Sequence, residues 1–443
     1  MKWLKIVGRG LALILIAAVS YLWLAPPELL RVASNYSAKM VCSNVFIAGR
    51  DAGEVLAVDV QAPGHPLLGY VSVDVSESEG TVEARLFGFV ATATARYRTG
   101  LGCTNVHEAR LSGASLPARA ALPDALWPAG NTVALSQNPE MLAALTDAAL
   151  LGEGARAVVV VQNGRIIGEA YGDGFGADTP LLGWSMAKTV TAGIIGTLIQ
   201  SGDMDLSDTL ESSYPAWAED ARADITVADM LGMASGLTWN EGYGNVSDVT
   251  KMLYLRGDMS GFAATQVSEA APETVFNYSS GTTTMLARVW QDRVGEGALG
   301  YPGDALFGPL GMTSAIMETD ARDTFVGSSY IYATARDWAR YGQFLLQGGV
   351  WDGVQILPEG FTDWMVEPVA SSEGAYAKGQ LWFEPPGEVP PFEDAVWLRG
   401  HDGQAVGIFP SHDLVIVRMG LTPSRVGYSP VPLAQALIAA IEG

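Results

Sequence analysis

A serine and a lysine three residues apart, Ser185 and Lys188, could form a nucleophile–base pair. A loop rich in glycine and acidic residues precedes them at 172–180, and the apolar run 187–199 predicts a helix. Residues three apart share one face of a helix, so the Lys188 amine can reach the Ser185 hydroxyl. A helix N-terminus also offers free N–H groups and partial positive charge, which would stabilise an oxyanion. The spacing therefore predicts acyl-transfer chemistry at the start of this helix.

Ser-x-x-Lys is a short pattern that also occurs without catalytic meaning, so the prediction depends on partners elsewhere in the chain. Tyr278 lies in a loop of small residues at 276–281. His401, Gly403 and Gln404 lead into a predicted strand, and a glycine beside a strand lets a substrate approach the backbone closely. The backbone N–H of Gln404 could then face a reacting carbonyl.

These motifs stand in the order found in the serine β-lactamase and penicillin-binding-protein superfamily, of which Ser-x-x-Lys is a known signature. Over about residues 140–440, the chain resembles the class C-like branch, which includes 6-aminohexanoate-dimer hydrolase and family VIII carboxylesterases. Besides residues 185–188, the stretches that carry the resemblance are Gly202-Asp203-Met204-Asp205-Leu206, Ser235-Gly236-Leu237, Tyr278-Ser279-Ser280, Pro309-Leu310-Gly311-Met312, Thr334-Ala335-Arg336-Asp337 and Gly400-His401-Asp402-Gly403-Gln404. Six landmarks in the right order are far more specific than any one of them.

The resemblance implies catalytic roles for residues at these positions. Ser185 would be the nucleophile, Lys188 the base that takes its proton, and Tyr278 a relay that protonates the leaving group. The backbone N–H groups of Ser185 and Gln404 would form the oxyanion hole. The reaction would be hydrolysis of an ester or small amide through a covalent acyl-enzyme, without a metal or cofactor.

The resemblance also implies substrate contacts. His401 and Gly403 would line the strand edge, and Tyr243 would match a substrate-contacting tyrosine of 6-aminohexanoate-dimer hydrolase. Two positions depart from the β-lactamase pattern, since Ser280 stands where asparagine is found and His401 where lysine is usual. Those missing groups hold the side-chain amide and carboxylate of a β-lactam, so their absence favours simple esters or small amides.

Other interpretations remain open at this point. The chain could be a β-lactamase, a D-Ala-D-Ala-type peptidase, or a sensor that is acylated at Ser185 without turnover. Residues 183–187 nearly fit the G-x-S-x-G turn of α/β-hydrolases, with His401 in a triad, but that turn needs a strand directly before the serine. In a purely structural interpretation, Tyr278 and His401 are core residues. No His or Cys spacing suits zinc, and no glycine-rich loop suits a nucleotide.

The net charge of −22 over 443 residues excludes one class of partner. The electrostatic field of a protein with this negative charge repels phosphate backbones. We therefore expect a small-molecule substrate and no nucleic acid. The sequence does not indicate an oligomeric state.

The N-terminal segment predicts export. Residues 11–25 are apolar and follow Lys2, Lys5 and Arg9, and they include the interface-favouring residues Tyr21 and Trp23. Fifteen helical residues span about 22 Å, short of a roughly 30 Å hydrocarbon core, so a cleaved signal peptide competes with an uncleaved signal-anchor. We favour an anchor in the inner membrane facing the periplasm, with periplasmic secretion if the leader is cleaved.

Cys42 and Cys103 are the two cysteines of the chain, and an even pair in an exported protein predicts a disulfide. Two buried free thiols are the alternative.

The patterns predict three parts: a signal-anchor or signal peptide at 1–25, a small β-rich accessory region at 26–135, and a β-lactamase-like serine hydrolase domain at 136–443. In the last part, the β-branched runs around Asn163-Gly164 predict a hairpin. We expect an α/β (α+β) fold, in which an antiparallel sheet flanked by helices packs against a mainly helical subdomain.

Overall fold

The computed structural model describes residues 2–107, 111–383 and 392–443. The helices are α1 (Lys2–Leu24), α2 (Glu28–Phe46), α3 (Ala52–Glu54), α4 (Pro139–Ala144), α5 (Ala148–Leu151), α6 (Met186–Ser201), α7 (Val227–Leu231), α8 (Asp248–Leu255), α9 (Met259–Ala263), α10 (Ser280–Val294), α11 (Ala335–Leu346), α12 (Phe361–Met365) and α13 (Val431–Glu442). The strands are β1 (Val71–Ser76), β2 (Thr81–Leu86), β3 (Val90–Arg98), β4 (Gly102–Asn105), β5 (Ala155–Gln162), β6 (Arg165–Tyr171), β7 (Leu181–Leu182), β8 (Ile316–Met317), β9 (Ile331–Ala333), β10 (Val350–Trp351), β11 (Val354–Gln355), β12 (Tyr376–Ala377), β13 (Leu381–Trp382), β14 (Val396–Gly400), β15 (Gln404–Phe409) and β16 (Leu414–Gly420).

The main sheet has seven antiparallel strands in the order β12-β13-β14-β15-β16-β5-β6. Asn163 and Gly164, both with positive φ, form the tight turn between β5 and β6, which confirms the predicted hairpin. Helix α11 covers one face of the sheet, and α13 with α4 covers the other. Because both faces are buried, the central strands are continuous apolar runs, such as residues 157–161.

The helical part of the molecule consists of α7, α8, α9 and α10, which pack on one another. Helix α6 contacts α10 on one side and strands β14 and β15 on the other, so it lies between the helical part and the main sheet. Strand β7 pairs with β9 and leads directly to the start of α6, which fixes where that helix begins. These antiparallel sheets and helices confirm the predicted α+β class.

Residues 26–135 contain the four-stranded meander β1-β2-β3-β4, in keeping with the predicted β-rich region, and also α2, which the sequence analysis missed. The reason is that α2 buries polar side chains along with apolar ones, which obscures its periodicity. Ser37 donates to the carbonyl of Ala33 at 2.8 Å and Asn44 to the carbonyl of Met40 at 3.0 Å. These bonds satisfy the polar groups within the helix itself.

Helix α2 is fastened to its surroundings in two ways. The predicted disulfide is present and joins Cys42 on α2 to Cys103 on β4. Lys39, also on α2, forms a fully buried ion pair with Glu318, which lies just after β8. Glu318 also accepts hydrogen bonds from the Ser43 hydroxyl at 2.8 Å and the Cys103 N–H at 2.6 Å. These donors replace the water that the buried carboxylate has lost. Because they come from α2 and β4, they tie the accessory segment to the rest of the fold.

The side chains of helix α1 that the structure describes are exposed, apart from the half-buried Leu22. Its segment Lys5–Leu24 has 20 residues and is long and apolar enough to cross a membrane. At about 1.5 Å per residue, this segment spans about 30 Å, which removes the shortfall estimated from residues 11–25 alone. A signal-anchor and a signal peptide both meet these criteria.

Replacing Cys42 and Cys103 together with alanine is expected to lower the free energy of unfolding by about 4 kcal/mol, because the cross-link closes a loop with a sequence separation of 61 residues. Denaturant titration followed by tryptophan fluorescence measures the change. The control is wild-type protein incubated with reductant under native conditions, where the buried bond should resist. Unchanged stability of the double variant would contradict the prediction.

Candidate active site

Ser185 lies at the N-terminus of α6, with φ of −64° and ψ of −8°. The preceding Trp184 has a φ of 48°, a conformation that bulky residues rarely adopt. Its buried ring lies 6.1 Å from the Tyr330 ring and 5.7 Å from the His401 ring, and this packing holds the turn. In the described ranges, the N–H of Ser185 has no backbone acceptor. It is therefore available to a substrate oxygen.

Lys188 is buried one turn into the helix, and its side-chain nitrogen meets three oxygens. Nζ lies 3.1 Å from Ser185 Oγ, 2.9 Å from Ser280 Oγ and 3.1 Å from the carbonyl oxygen of Ser328. These acceptors match the three N–H donors of an ammonium group. In the neutral amine, the lone pair could instead accept the Ser185 proton.

Burial lowers the pKa of Lys188 from 10.5 to about 8, because desolvation disfavours the charged ammonium. The nearby carboxylate of Glu241 opposes this shift. With a pKa of this size, roughly a tenth of the amine is neutral at pH 7. The site therefore contains a lysine that can act as a base near neutral pH.

Tyr278 lies beside both groups. The Lys188 Nζ is 4.7 Å from the centre of its ring, and the ring packs against Trp382 at 5.2 Å and Tyr376 at 5.8 Å. Burial raises the pKa of the Tyr278 phenol far above its usual range, and the Ser185 hydroxyl is close enough to moderate the shift. The phenol stays protonated at neutral pH, so it can donate a proton or hydrogen bond but is not the first base.

Glu241 is a site residue that the sequence analysis missed. Its carboxylate accepts from Ser280 Oγ at 2.5 Å, from Ser280 N at 2.9 Å and from Trp239 Nε1 at 2.5 Å. The hydroxyl of Tyr243 adds a fourth donor at 3.3 Å. Since Ser280 also accepts from Lys188, the structure holds a continuous path of hydrogen bonds from the amine to this carboxylate.

Two of the predicted substrate contacts lie together on one side of the Ser185 turn. The Tyr243 ring stacks on His401 with centroids 4.9 Å apart and planes 25° apart. Both rings, together with Trp184, line a cavity next to the turn. The His401 Nε2 lies 3.4 Å from the Asp402 carboxylate, and burial raises the pKa of that carboxyl.

The end of β14 meets the Ser185 turn at a glycine that the prediction did not emphasise. Gly400 pairs with Gln404 across β14 and β15, and a Cβ on Gly400 would overlap the carbonyl oxygen of Gly183. This close approach brings the Gln404 strand end next to the turn. By contrast, a Cβ on Gly403 would meet the Arg418 guanidinium, and Gly403 has a φ of +80°. A glycine at position 403 therefore allows the left-handed backbone of this turn and its close contact with Arg418.

The structure does not support the α/β-hydrolase alternative. The strand before Ser185 is the two-residue β7, which belongs to a small antiparallel sheet and not to a central parallel one. The side chain that bonds to the Ser185 hydroxyl is an amine and not an imidazole.

A family model described as Beta-lactamase matches residues 148–429, well over half of the chain. The chain belongs to the β-lactamase family. A curated relative, 6-aminohexanoate-dimer hydrolase of Paenarthrobacter ureafaciens, is 23% identical over 300 residues, which cover 60% of this chain and 72% of the relative. The family match confirms the predicted serine β-lactamase and penicillin-binding-protein superfamily.

Solved structures agree with this assignment. A Bacillus anthracis protein, assigned by inference as a 6-aminohexanoate-dimer hydrolase, is 26% identical with a TM-score of 0.56, over 65% of this chain and 80% of that one. A family VIII carboxylesterase is 17% identical with a TM-score of 0.53, over 70% of this chain and 98% of that one, which shows the shared fold. The named relatives are hydrolases, and this supports a hydrolase here.

A lysine base with a pKa of about 8 predicts the pH dependence of hydrolysis. Below this pH the amine carries a proton and cannot accept another, so kcat/KM should rise with pH and level off above about 8. Hydrolysis of p-nitrophenyl acetate, corrected for the spontaneous rate, measures the profile. A rise centred on 10.5, the ordinary pKa of a lysine, would show that the amine is not desolvated.

The Glu241→Gln variant should lower kcat/KM by about tenfold to a hundredfold, since one hydrogen bond to a charged group contributes about 1.5–3 kcal/mol. It should also move the rising limb of the pH profile to lower pH, because the carboxylate raises the pKa of Lys188. The matched control is Glu269→Gln, at a residue that is not among the contacts of Lys188. A reduced rate with an unmoved limb would indicate a structural role for Glu241.

Proposed function

We propose that the protein is a serine hydrolase that cleaves an ester or small amide through an acyl-enzyme on Ser185. The observation that carries the proposal is the 3.1 Å contact between Lys188 Nζ and Ser185 Oγ, combined with the desolvation that lowers the pKa of Lys188 to about 8. A serine hydroxyl is a weak nucleophile without an adjacent base, and this amine supplies one.

In the acylation step, Ser185 Oγ forms a bond to the substrate carbonyl carbon while its proton passes to Lys188 Nζ. The carbonyl oxygen becomes an oxyanion that the N–H groups of Ser185 and Gln404 stabilise, and one such donor typically contributes about 3 kcal/mol. The bond to the leaving group then breaks. The leaving oxygen or nitrogen takes a proton from Tyr278, which regains one from Lys188.

Deacylation reverses these proton movements with water as the nucleophile. A water molecule attacks the acyl carbon and gives its proton to the amine, and the bond to Ser185 Oγ breaks. Ser185 regains its proton as the carboxylic acid leaves. Throughout, Ser280 and Glu241 keep the Lys188 amine directed at Ser185.

Two observations favour a simple ester or small amide over a β-lactam. At position 280 the β-lactamase pattern has an asparagine, which holds the side-chain amide of a β-lactam. Here the Ser280 hydroxyl is instead hydrogen-bonded to Lys188 and Glu241. His401 stacks on Tyr243 in place of a free lysine ammonium. The name of the curated relative, 6-aminohexanoate-dimer hydrolase, is compatible with an amide substrate.

We also propose that the hydrolase domain, residues 136–443, works outside the cytoplasm. Helix α1 would remain as a signal-anchor in the inner membrane, with residues 26–135 between it and the hydrolase domain. The disulfide between Cys42 and Cys103 fits an oxidising compartment such as the periplasm.

The Ser185→Ala and Lys188→Ala variants should each reduce kcat for p-nitrophenyl acetate on the order of 10⁴- to 10⁶-fold, and the double variant should lose no more, because residues that act as a unit are not additive. The matched control is Ser201→Ala at the other end of α6, which should keep wild-type activity. Mass spectrometry after rapid quenching should find the acetyl group on Ser185. Retained turnover in Ser185→Ala would refute the proposal.

A further inference from the structure

A cavity of about 280 Å³ opens beside Trp184, Tyr243 and His401, next to the Ser185 turn. One of its walls does not come from the family-matched residues 148–429. Apolar side chains of the preceding segment form that wall: Leu29, Val32, Ala33 and Tyr36 on α2, and Leu67 and Leu68 in the helical turn Pro66–Tyr70. We call this space the α2 cavity.

We propose that the α2 cavity binds the hydrocarbon chain of an amphiphilic ester or amide that reaches the site from a lipid bilayer. This inference rests on the proposed function and names its substrate class. The chain would lie among the α2 and 67–68 side chains while the scissile carbonyl reaches Ser185. The polar groups His401, Asp402 and Arg425 lie at the cavity too and would face the polar part of the substrate.

The chemistry of the wall favours a hydrocarbon over a charged group. Val32, Ala33 and Leu68 are each less than a tenth exposed and present only carbon atoms. The protein carries a net charge of −22, so its overall field disfavours an anionic ligand. Burying each methylene group of a chain in such a space is favourable.

The position of α2 explains how such a substrate would arrive. Helix α1, whose segment Lys5–Leu24 is long enough to cross a membrane, ends five residues before Leu29. Five residues span at most about 18 Å even when fully extended. With α1 in a bilayer, the α2 wall of the cavity therefore lies close to the membrane surface.

An exposed aromatic patch lies at the turn Pro66–Tyr70 and at the turn before β3. Tyr70 and Phe87 are in contact with ring centroids 5.0 Å apart, and Phe89 follows in the turn before β3. All three side chains are about half exposed. The turn Pro66–Tyr70 that carries Tyr70 also supplies Leu67 to the cavity wall, and α1 contacts β3. Exposed aromatic residues of this kind favour the membrane–water interface.

The test uses the full-length protein in phosphatidylcholine vesicles and two substrate series, p-nitrophenyl esters of increasing acyl length and alkyl acetates of increasing alcohol length. In one of the two series, kcat/KM should rise by about fourfold per methylene group until the cavity is full. A flat profile in both series, with acetate still hydrolysed, would overturn the inference and leave the proposed function intact. No hydrolysis of any ester, nor of the matching p-nitroanilides, would instead refute the proposed function.

Variants of Ala33 test whether the chain occupies this cavity. Filling the space with Ala33→Leu and then Ala33→Phe should lower the octanoate-to-acetate ratio of kcat/KM progressively, by about tenfold or more for phenylalanine. The matched control, Arg31→Phe, places the same side chain on the exposed side of α2 and should keep the wild-type ratio. If Ala33→Phe fails to fold, inhibition of acetate hydrolysis by octan-1-ol is measured in Ala33→Leu instead. An inhibition constant for octan-1-ol equal to that of the wild type would contradict the inference.

Initial rates with p-nitrophenyl dodecanoate separate the two sources of substrate. The ester is supplied either in the vesicles that hold the protein or in protein-free vesicles mixed with them. A faster start in the first case supports delivery from the bilayer, whereas equal rates overturn that part of the inference.

Discussion

The active site depends on keeping one ammonium group, that of Lys188, away from water. An unpaired buried charge is very unfavourable, so the fold must supply oxygen partners from several elements at once. Ser185 comes from the start of α6, Ser280 from the start of α10 and the Ser328 carbonyl from the segment before β9. The same burial that demands these partners lowers the pKa of the amine, so packing and reactivity have one cause.

Glu241 limits how far burial lowers the pKa of Lys188. Desolvation alone would push the amine further toward neutrality, and the carboxylate restores part of its affinity for a proton. Ser280 stands between the two groups, accepting from Lys188 and donating to Glu241. A hydroxyl can perform both functions with a single atom. The replacement of asparagine by serine at this position therefore has a consequence for the base as well as for the substrate.

Local patterns in the sequence predicted the elements that lie close together in the chain. Asn163-Gly164 was enough for the hairpin of β5 and β6, and the spacing of Ser185 and Lys188 was enough for their contact, because one helical turn brings them together. Glu241 could not be found in this way. It is one of 48 acidic residues, and its main partner, Ser280, lies 39 positions away. Helix α2 was missed for a different reason, since its buried serines and asparagines conceal its apolar face.

The accessory segment is connected to the chemistry through the same helix that lines the cavity. Lys39 on α2 pairs with Glu318 and lies 4.1 Å over the ring of Tyr330, and the Tyr330 ring in turn packs near that of Trp184. Trp184 holds the unfavourable turn that presents Ser185. Because a left-handed backbone at a tryptophan persists only where its surroundings enforce it, the contacts of α2 contribute to the position of the nucleophile. The segment outside the family-matched region thus shapes the site from two directions, through the wall of the α2 cavity and through the packing behind the Ser185 turn.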